Sequence, residues 1–261
     1  MVKFQSFLSS SSGNSTFITD DHTNILIDCG ATKGYIEKCL SRLGTDGTHL
    51  SGIFITHAHI DHIAAAGALS RKFGLPLYAT AETFAKGARQ IGMVREHNLR
   101  EITPGDDITV NTLTVHAFSI PHDADGAVSY TVTDGESKFG IATDSGIITD
   151  EIMQNLTGCD TVIVESNHDV DMLRRGPYPY PLKKRILGEG GHLSNDTCGQ
   201  LCAALAKCGT KAFWLGHLSD KNNLPDLAYS CVSRVLAENG ITVGCDVSLN
   251  VIPKFWIEAT I

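Results

Sequence analysis

One short run of the sequence combines the side chains that proteins use to bind transition metals. Residues 56–62 read Thr-His-Ala-His-Ile-Asp-His, which brings His57, His59, Asp61 and His62 within six positions. Imidazole nitrogens and carboxylate oxygens together suit zinc, manganese or iron, and the absence of a thiolate argues against a closed structural zinc site. His57 and His59 can point to the same side of a loop while Asp61 and His62 face a neighbouring position. The run therefore predicts ligands for two divalent metal ions.

A buried strand delivers the chain to this run. Residues 52–55 are Gly-Ile-Phe-Ile, which is typical of a buried strand, and the small apolar residues at 63–69 predict a helix directly afterwards. A metal motif is credible when it lies in such a strand-loop-helix context. The context therefore disfavours a chance cluster of histidines on a solvated loop.

The rest of the chain alternates short β-rich runs with helical segments. Strands are predicted at residues 2–8, 15–19, 24–29, 77–79, 113–118, 128–133, 138–142, 161–165 and 211–215, and helices over 33–42, 197–207 and 226–239. Strand-rich halves that each carry outer helices predict an α/β layered sandwich. A chain of 261 residues with 42% hydrophobic content can bury a sizeable core, and we expect one domain over residues 1–261.

Composition argues against an exported or membrane protein. No apolar run approaches the roughly 20 residues that cross a bilayer, and residues 1–6 lack the basic and then apolar pattern of an export signal. We therefore expect a cytoplasmic protein without membrane contact. The eight cysteines are scattered through the chain, so we expect them to be reduced and buried rather than paired in disulfides.

The net charge of -8 argues against a uniformly basic surface. A nucleic-acid partner would have to be held by a local patch of cations rather than by overall attraction. One short segment, which also contains Tyr178 and Tyr180, offers such a patch. Its cationic residues are Arg174, Arg175, Lys183, Lys184 and Arg185.

The run of residues 56–62 after a buried strand resembles the His-x-His-x-Asp-His signature of the metallo-β-lactamase superfamily. The resemblance implies an αββα four-layer sandwich and a metal-dependent hydrolase. Three further motifs match the superfamily pattern: Pro-His-Asp-Ala at His122, Thr-Asp-Ser-Gly at Asp144 and Gly-His-Leu-Ser at His217. The ligands that the resemblance implies are His57, His59 and His122 for one metal, Asp61, His62 and His217 for the other, and Asp144 for both.

These three further positions also have plainer interpretations. Asp144 could cap a turn, and His122 and His217 could be hydrogen-bonded histidines at strand ends. The remaining histidines have no comparable context, and we interpret four of them as surface or packing residues: His22, His49, His97 and His116.

Hydrolysis is the chemistry that a two-metal site favours. Superfamily members that use two irons for redox chemistry tend to carry glutamate at the position of His59, which disfavours a redox role here. His192 follows two glycines and precedes a helix that Ser194 or Asn195 would cap. This segment resembles the Gly-His motif of tRNase Z and of the cyclic phosphodiesterase PhnP. The resemblance implies that His192 is a general acid, with Asp61 as the other catalytic candidate; alternatively, His192 only caps the turn.

Three segments, at residues 9–15, 165–169 and 176–186, resemble the bacterial YycJ group, also called WalJ or VicX. That group implies a metal-dependent exonuclease that degrades double-stranded DNA from the 5′ end. The Ser-Gly-Asn segment could hold a phosphate or could be a plain hairpin turn, and the cationic segment could grip DNA or be a solvated helical face. The candidate substrate-binding residues are Ser11, Ser12, Asn14, Tyr178, Lys183, Lys184 and Arg185. His168 is not counted as a ligand.

Two rival functions stay open from the sequence. The acidic overall charge would favour a PhnP-like hydrolase of a cyclic or small nucleotide, because such a substrate needs no extended cationic surface. A metal-binding regulatory protein without catalysis is the other rival. Neither the metal, the cleavage polarity nor the oligomeric state follows from the sequence.

Overall fold

The first half of the chain forms a six-stranded mixed sheet. The computed structural model describes residues 1–256. Strands β1 to β3 are antiparallel neighbours and β3 to β6 are parallel, in the order in which they occur along the chain. The strands of this first sheet are β1 (Lys3–Ser10), β2 (Gly13–Thr19), β3 (Asn24–Ile27), β4 (Gly52–Phe54), β5 (Leu77–Ala79) and β6 (Leu99–Glu101).

The second half forms a seven-stranded sheet in the order β13-β12-β11-β10-β9-β8-β7. Its strands are β7 (Asp107–Val110), β8 (Leu113–Ser119), β9 (Val128–Thr133), β10 (Lys138–Ala142), β11 (Thr161–Glu165), β12 (Ala212–Gly216) and β13 (Ser248–Val251). Strands β7 to β10 pair antiparallel and β10 to β13 pair parallel. The parallel part points the carboxyl ends of four neighbouring strands to one edge.

The α-helices lie outside the two sheets. They are α1 (Lys33–Arg42), α2 (Ile60–Ile63), α3 (Ala66–Phe73), α4 (Ala81–Ile91), α5 (Asp150–Leu156), α6 (Val170–Arg175), α7 (Tyr180–Ile186), α8 (Asn195–Lys207) and α9 (Pro225–Glu238). Across residues 1–256, none is long and apolar enough to cross a bilayer.

Three apolar clusters separate four layers. Alternate residues of a strand point to opposite faces of its sheet, so Leu26 packs among the helices beside the first sheet while Ile25 and Ile27 face the second sheet. In the second sheet, Val162 packs towards α5, α8 and α9 and Ile163 faces the first sheet. Each sheet therefore buries both faces. This arrangement confirms the predicted αββα sandwich.

The structure differs from the sequence prediction where the chain approaches the edge of the sheets. The predicted helix at 33–42 is confirmed, but the strand predicted at 24–29 ends at Ile27, since Asp28 adopts a left-handed conformation with φ 61°. The helix predicted at 63–69 is divided into α2 and α3. Strands β6, β7 and β13 and helices α4 to α7 were not predicted. Strand β6 has three residues and depends on pairing with β5, which a local pattern does not contain.

All eight cysteines are free, as predicted. The prediction that they are buried is confirmed for five of them: Cys29, Cys39, Cys159, Cys198 and Cys202. It is wrong for Cys208 and Cys245, which are exposed at the ends of surface elements, and Cys231 is half-buried.

Candidate metal centre

The predicted ligands meet where the carboxyl ends of strands from both sheets converge. The run of residues 56–62 follows β4, and His122 lies three residues beyond β8. Asp144 follows β10 and His217 follows β12, with β11 between these two parallel strands. Ligands that are distant in sequence therefore meet because their strands end at the same edge.

Hydrogen bonds from the second sheet hold the start of the histidine run. The Tyr130 hydroxyl donates to the Ile55 carbonyl at 2.7 Å, and the Val128 amide donates to the Thr56 carbonyl at 3.0 Å. From the first sheet, the Asp28 carboxylate accepts from the Thr56 amide at 2.8 Å. The run is therefore fixed to both sheets before its first histidine.

Three imidazole nitrogens converge on one side of the edge. His57 Nε2 lies 3.0 Å from His59 Nδ1, and His122 Nε2 lies 3.3 Å from the same atom. Nitrogens that share a tetrahedral ion at about 2.0–2.1 Å lie about 3.3 Å apart, which matches this spacing. Burial lowers the pKa of all three rings, so they are held as neutral imidazoles, the form that binds a metal.

A second group of ligand atoms lies beside the first. Asp61 Oδ2 lies 3.5 Å from His62 Nε2 and 3.9 Å from His217 Nε2. Burial alone would lower the pKa of both rings, but the charges around them outweigh it: Asp144 and Asp28 raise the pKa of His62, and Asp144, Asp61 and Glu165 raise the pKa of His217 to about 10. This half of the site concentrates negative charge.

Asp144 lies between the two groups. Its carboxylate oxygens are 3.4 Å from His62 Nε2, 4.0 Å from His122 Nε2 and 3.5 Å from His217 Nδ1. The residue is buried and has φ 61°, and His217 has φ 56°. A non-glycine residue in the left-handed region is energetically costly. Two such residues at one edge indicate that the surrounding packing holds the backbone of these functional residues in that conformation.

The donor atoms fit divalent cations. Although buried, Asp144 Oδ2 and His217 Nε2 have no hydrogen-bond partner among the described residues, an arrangement that is costly unless something else satisfies them. In His62 and in His217, a carboxylate binds Nδ1, the ring nitrogen across from Nε2. Asp28 accepts from His62 Nδ1 at 2.7 Å, and Glu165 accepts from His217 Nδ1 at 2.5 Å. Each ring therefore presents Nε2 to the site, as metal-binding histidines do.

Glu165 joins His217 to His192. The fully buried carboxylate accepts from His192 Nδ1 at 2.8 Å through the same oxygen that accepts from His217, while its other oxygen accepts from the Leu193 amide at 3.0 Å. Burial alone would lower the pKa of His192, but the charge of Glu165 and its hydrogen bond raise it. His192 therefore lies beside the metal ligands as a ring that carries its proton readily.

A cleft of about 350 Å³ opens over these ligands. Three of the predicted substrate-binding residues, Ser11, Tyr178 and Arg185, are among those that line it. The other lining residues are His59, Ile60, Asp61, Asp144, Asn167, Leu182, Ile186, His192, His217 and Ser219. Arg185 is the one arginine or lysine among the described residues that line this cleft.

The other predicted substrate-binding residues lie elsewhere. Lys183 and Lys184 are on α7 outside the cleft lining, with Lys183 Nζ bonded to the Arg174 carbonyl at 2.7 Å. Ser12 is exposed at the tip of the β1–β2 hairpin, which this segment forms. Asn14 is buried in β2, where its Nδ2 lies 3.1 Å from His62 Nε2.

Sequence reasoning missed two acidic residues of the site. Asp28 orients His62, and Asp123 receives two hydrogen bonds from Arg185, of which Nη2 to Oδ1 measures 3.0 Å. These hydrogen bonds from Arg185 lower the pKa of Asp123 and keep it ionised. The available signals were a carboxylate directly after a buried strand, for Asp28, and one directly after a proposed ligand, for Asp123.

Proteins of known name match most of the chain. The family described as Beta-lactamase superfamily domain matches residues 23–218. Exodeoxyribonuclease YycJ of Bacillus anthracis is 34% identical over 243 residues, which cover 93% of this chain and 92% of that protein. Exodeoxyribonuclease WalJ of Streptococcus pneumoniae is 32% identical over 246 residues, covering 94% of this chain and 91% of that protein.

A solved structure shares the fold at lower sequence similarity. The metallo-β-lactamase fold protein YhfI of Bacillus subtilis superposes with a TM-score of 0.71 at 17% identity, covering 98% of both chains. At this identity the likeness concerns the arrangement of the strands and helices.

Proposed function

The chain belongs to the metallo-β-lactamase superfamily, in the group of YycJ and WalJ, and is a metal-dependent hydrolase; we propose that it is an exonuclease that degrades double-stranded DNA from the 5′ end. The names of the two relatives support deoxyribonuclease activity. The polarity and the duplex preference rest on the resemblance of residues 9–15, 165–169 and 176–186.

We propose two metal ions held by the residues that converge at the sheet edge. His57, His59 and His122 would hold one, Asp61, His62 and His217 the other, and Asp144 both; the spacing of their ligand atoms supports this assignment. Divalent ions, when bound, supply Lewis acidity that polarises a phosphate and makes water more nucleophilic at neutral pH. Zinc, manganese and iron share these ligands.

His192 is the proposed general acid. Its Nδ1 donates to Glu165, which leaves Nε2 as the nitrogen that can pass a proton to the leaving oxygen of the scissile ester. Glu165 favours the protonated ring through its charge. Because Glu165 also orients His217, one buried carboxylate would fix the positions of the proton donor and of a metal ligand relative to each other.

The cleft walls are proposed to hold the DNA strand. Arg185 would bind a backbone phosphate, and Tyr178 with Leu182 and Ile186 offers an apolar wall for a sugar or terminal base. Ser11 adds a hydroxyl on the opposite wall. Lys183, Lys184 and the exposed Ser12 lie outside the cleft, where they would contact phosphates farther along the duplex.

The observation that carries this proposal is the position of His192 beside the proposed metal ligands. Its Nδ1 lies 3.7 Å from Asp144 Oδ1, and both side chains line the same cleft. A protein that only binds metal needs no proton donor there, so the arrangement favours catalysis over a purely regulatory role.

Blunt duplexes labelled at the 5′ or the 3′ end test the proposal. With manganese or zinc, we expect the protein to release labelled mononucleotide first from the 5′ label, and we expect His192→Ala and Asp61→Ala to slow release by about 100-fold or more. The exposed His97→Ala is the matched control and should retain the wild-type rate.

Four outcomes would contradict parts of this proposal. Release from the 3′ label first would overturn the polarity, and unchanged turnover in both variants would overturn the site assignment. Turnover of a cyclic nucleotide without turnover of any duplex would favour the rival small-nucleotide activity. No turnover with any divalent metal would favour the metal-binding regulatory role.

A further inference from the structure

The guanidinium that lines the cleft, that of Arg185, is already engaged by an anion of the protein. Arg185 donates to Asp123 from Nε and from Nη2, one bond to each carboxylate oxygen, so the guanidinium and the carboxylate meet in a two-pronged contact. We name these two residues the Asp123–Arg185 pair. The N–H groups of Arg185 that would bind a phosphate are therefore hydrogen-bonded to Asp123.

Asp123 lies at the boundary between Arg185 and the imidazole group. Its Oδ1 is 3.4 Å from His122 Nε2 and 3.8 Å from His59 Nε2. Its amide donates to the Gly190 carbonyl at 3.1 Å, which fixes the backbone of Asp123 against the loop that carries His192. The carboxylate therefore lies between Arg185, which lines the cleft, and the imidazole group.

The contact has the geometry of phosphate recognition. The planar guanidinium presents parallel N–H groups that match the oxygens of a carboxylate and of a phosphate equally well. The Asp123 side chain is 33% exposed and that of Arg185 47% exposed, so water reaches both groups. Exchange of one oxyanion for another at such an exposed pair is cheap, because partly solvated ion pairs contribute little net stability.

We propose that Asp123 is a specificity-determining residue that competes with the substrate for Arg185, so that a backbone phosphate must displace its carboxylate to enter the site. This inference rests on the proposed action on DNA and adds a condition to it. A polymer that makes several phosphate contacts at once can displace Asp123, whereas a small monoanionic ester or a carboxylate ligand competes poorly. Asp123 therefore acts as a filter: it favours ligands that make several phosphate contacts over small ligands that carry a single negative charge.

Replacement of Asp123 by Asn tests the filter. The amide keeps the shape of the side chain but removes the charge that holds Arg185, so we expect about twofold to fivefold tighter binding of a 5′-phosphorylated duplex. Binding would be measured by fluorescence anisotropy with the metal-loaded protein and a cleavage-resistant phosphorothioate duplex, together with the metal content of each variant.

Asp125→Asn is the matched control. Asp125 lies two residues away, is 68% exposed and pairs with Lys86 at 3.1 Å, so its replacement removes the same charge from the same loop without touching Arg185. We expect a clearly smaller gain in affinity for this variant. Equal gains in both variants would mean that the charge of the loop, rather than the Asp123–Arg185 pair, governs binding.

A double variant separates competition from other roles. In an Arg185→Gln background, Asp123→Asn should raise duplex affinity no more than Asp125→Asn does, because the group for which Asp123 competes is gone. Weaker binding in Asp123→Asn alone would show that Asp123 positions Arg185 for the substrate, and a loss of bound metal would show that it is a ligand; either result overturns the filter. Wild-type protein that neither binds nor degrades the duplex would instead overturn the proposed function.

Discussion

Three imidazoles of the site depend on a carboxylate partner that fixes their orientation. His62 relies on Asp28, and His192 and His217 both rely on one oxygen of Glu165. In each case a carboxylate holds Nδ1 and leaves Nε2 for chemistry. The orienting carboxylates are buried, so their removal leaves ring nitrogens without a partner in a place where water replaces them poorly.

Replacement of Glu165 by Gln is expected to impair turnover strongly. The amide keeps the size of the side chain but loses the charge that holds His192 protonated and His217 in place. Loss of such an orienting partner costs about 10- to 100-fold in activity or metal affinity, which steady-state nuclease rates and metal analysis would measure.

Glu151→Gln is the control for this change. Glu151 also accepts a backbone hydrogen bond, from the Ser119 amide at 2.8 Å, but it is exposed and outside the cleft. Its replacement should leave turnover near the wild-type value. A Glu165→Gln variant that is as active as the Glu151→Gln variant would contradict the role assigned to Glu165.

At the scale of elements, the site depends on a close approach of three chain segments. The loop after β3, the β1–β2 hairpin and α2 meet at Gly30, whose amide donates to the Asn14 carbonyl at 2.7 Å. A Cβ at this position would lie 1.5 Å from the Asp61 carbonyl oxygen and 2.7 Å from the Asn14 amide nitrogen. Only glycine lets these segments touch, and the contact sets the position of the Asp61 backbone.

Gly30→Ala is therefore expected to destabilise the protein and displace Asp61. Overpacking against rigid backbone costs about 1–3 kcal/mol or more in the free energy of unfolding, and nuclease activity should fall with it. Gly34→Ala is the matched control, because nothing lies within 4 Å of its Cβ position in α1. Alanine should stabilise that helix slightly.

Urea unfolding monitored by circular dichroism would measure both variants. Equal stability and equal activity of Gly30→Ala and Gly34→Ala would contradict the close approach. A destabilised Gly30→Ala variant with full activity would show that the contact supports the fold but does not position Asp61.

At the scale of the whole molecule, positive charge is concentrated in one segment although the net charge is negative. The protein carries a net charge of -8, yet its cationic segment lies next to the cleft, where Arg185 lines the wall and Lys184 is exposed on the same helix. Local cations can attract a polyanion that the rest of the surface repels. We propose that the two sheets act as a single domain that presents this one surface to DNA.

The salt dependence of duplex binding should report this local surface. Affinity is expected to fall steeply with salt, and Lys184→Ala should reduce the slope of log K against log salt concentration by about 1, as expected for the loss of one phosphate contact. Lys207→Ala is the control, since Lys207 is exposed at the far end of α8, about 18 Å along the helix axis from Asn195.

Fluorescence anisotropy over a salt series would measure the slopes. A slope that Lys184→Ala and Lys207→Ala reduce equally would show that overall charge, rather than the cationic segment, governs binding. A flat response in the wild-type protein would argue against an extended DNA contact and for a small-nucleotide substrate.

The sequence by itself determined the class of the protein and the group of candidate metal ligands that the structure brings together. Metal ligands are a matter of residue type and local context, so the run of residues 56–62 and the motifs at His122, Asp144 and His217 could be recognised along the chain. The layered fold followed from strand and helix periodicity and from the resemblance to the superfamily. Substrate-binding residues were harder, because exposed loops carry no periodic signal.

Only the tertiary structure decided which side chains support the metal ligands and which face the cleft. Asp28 and Asp123 act through contacts with residues 34 or more positions away, and a local pattern does not encode such distances. The same reason explains why Asn14 lies against His62 while Arg185 reaches the cleft and Lys184 does not. Strand register and helix packing, rather than residue type, set these positions.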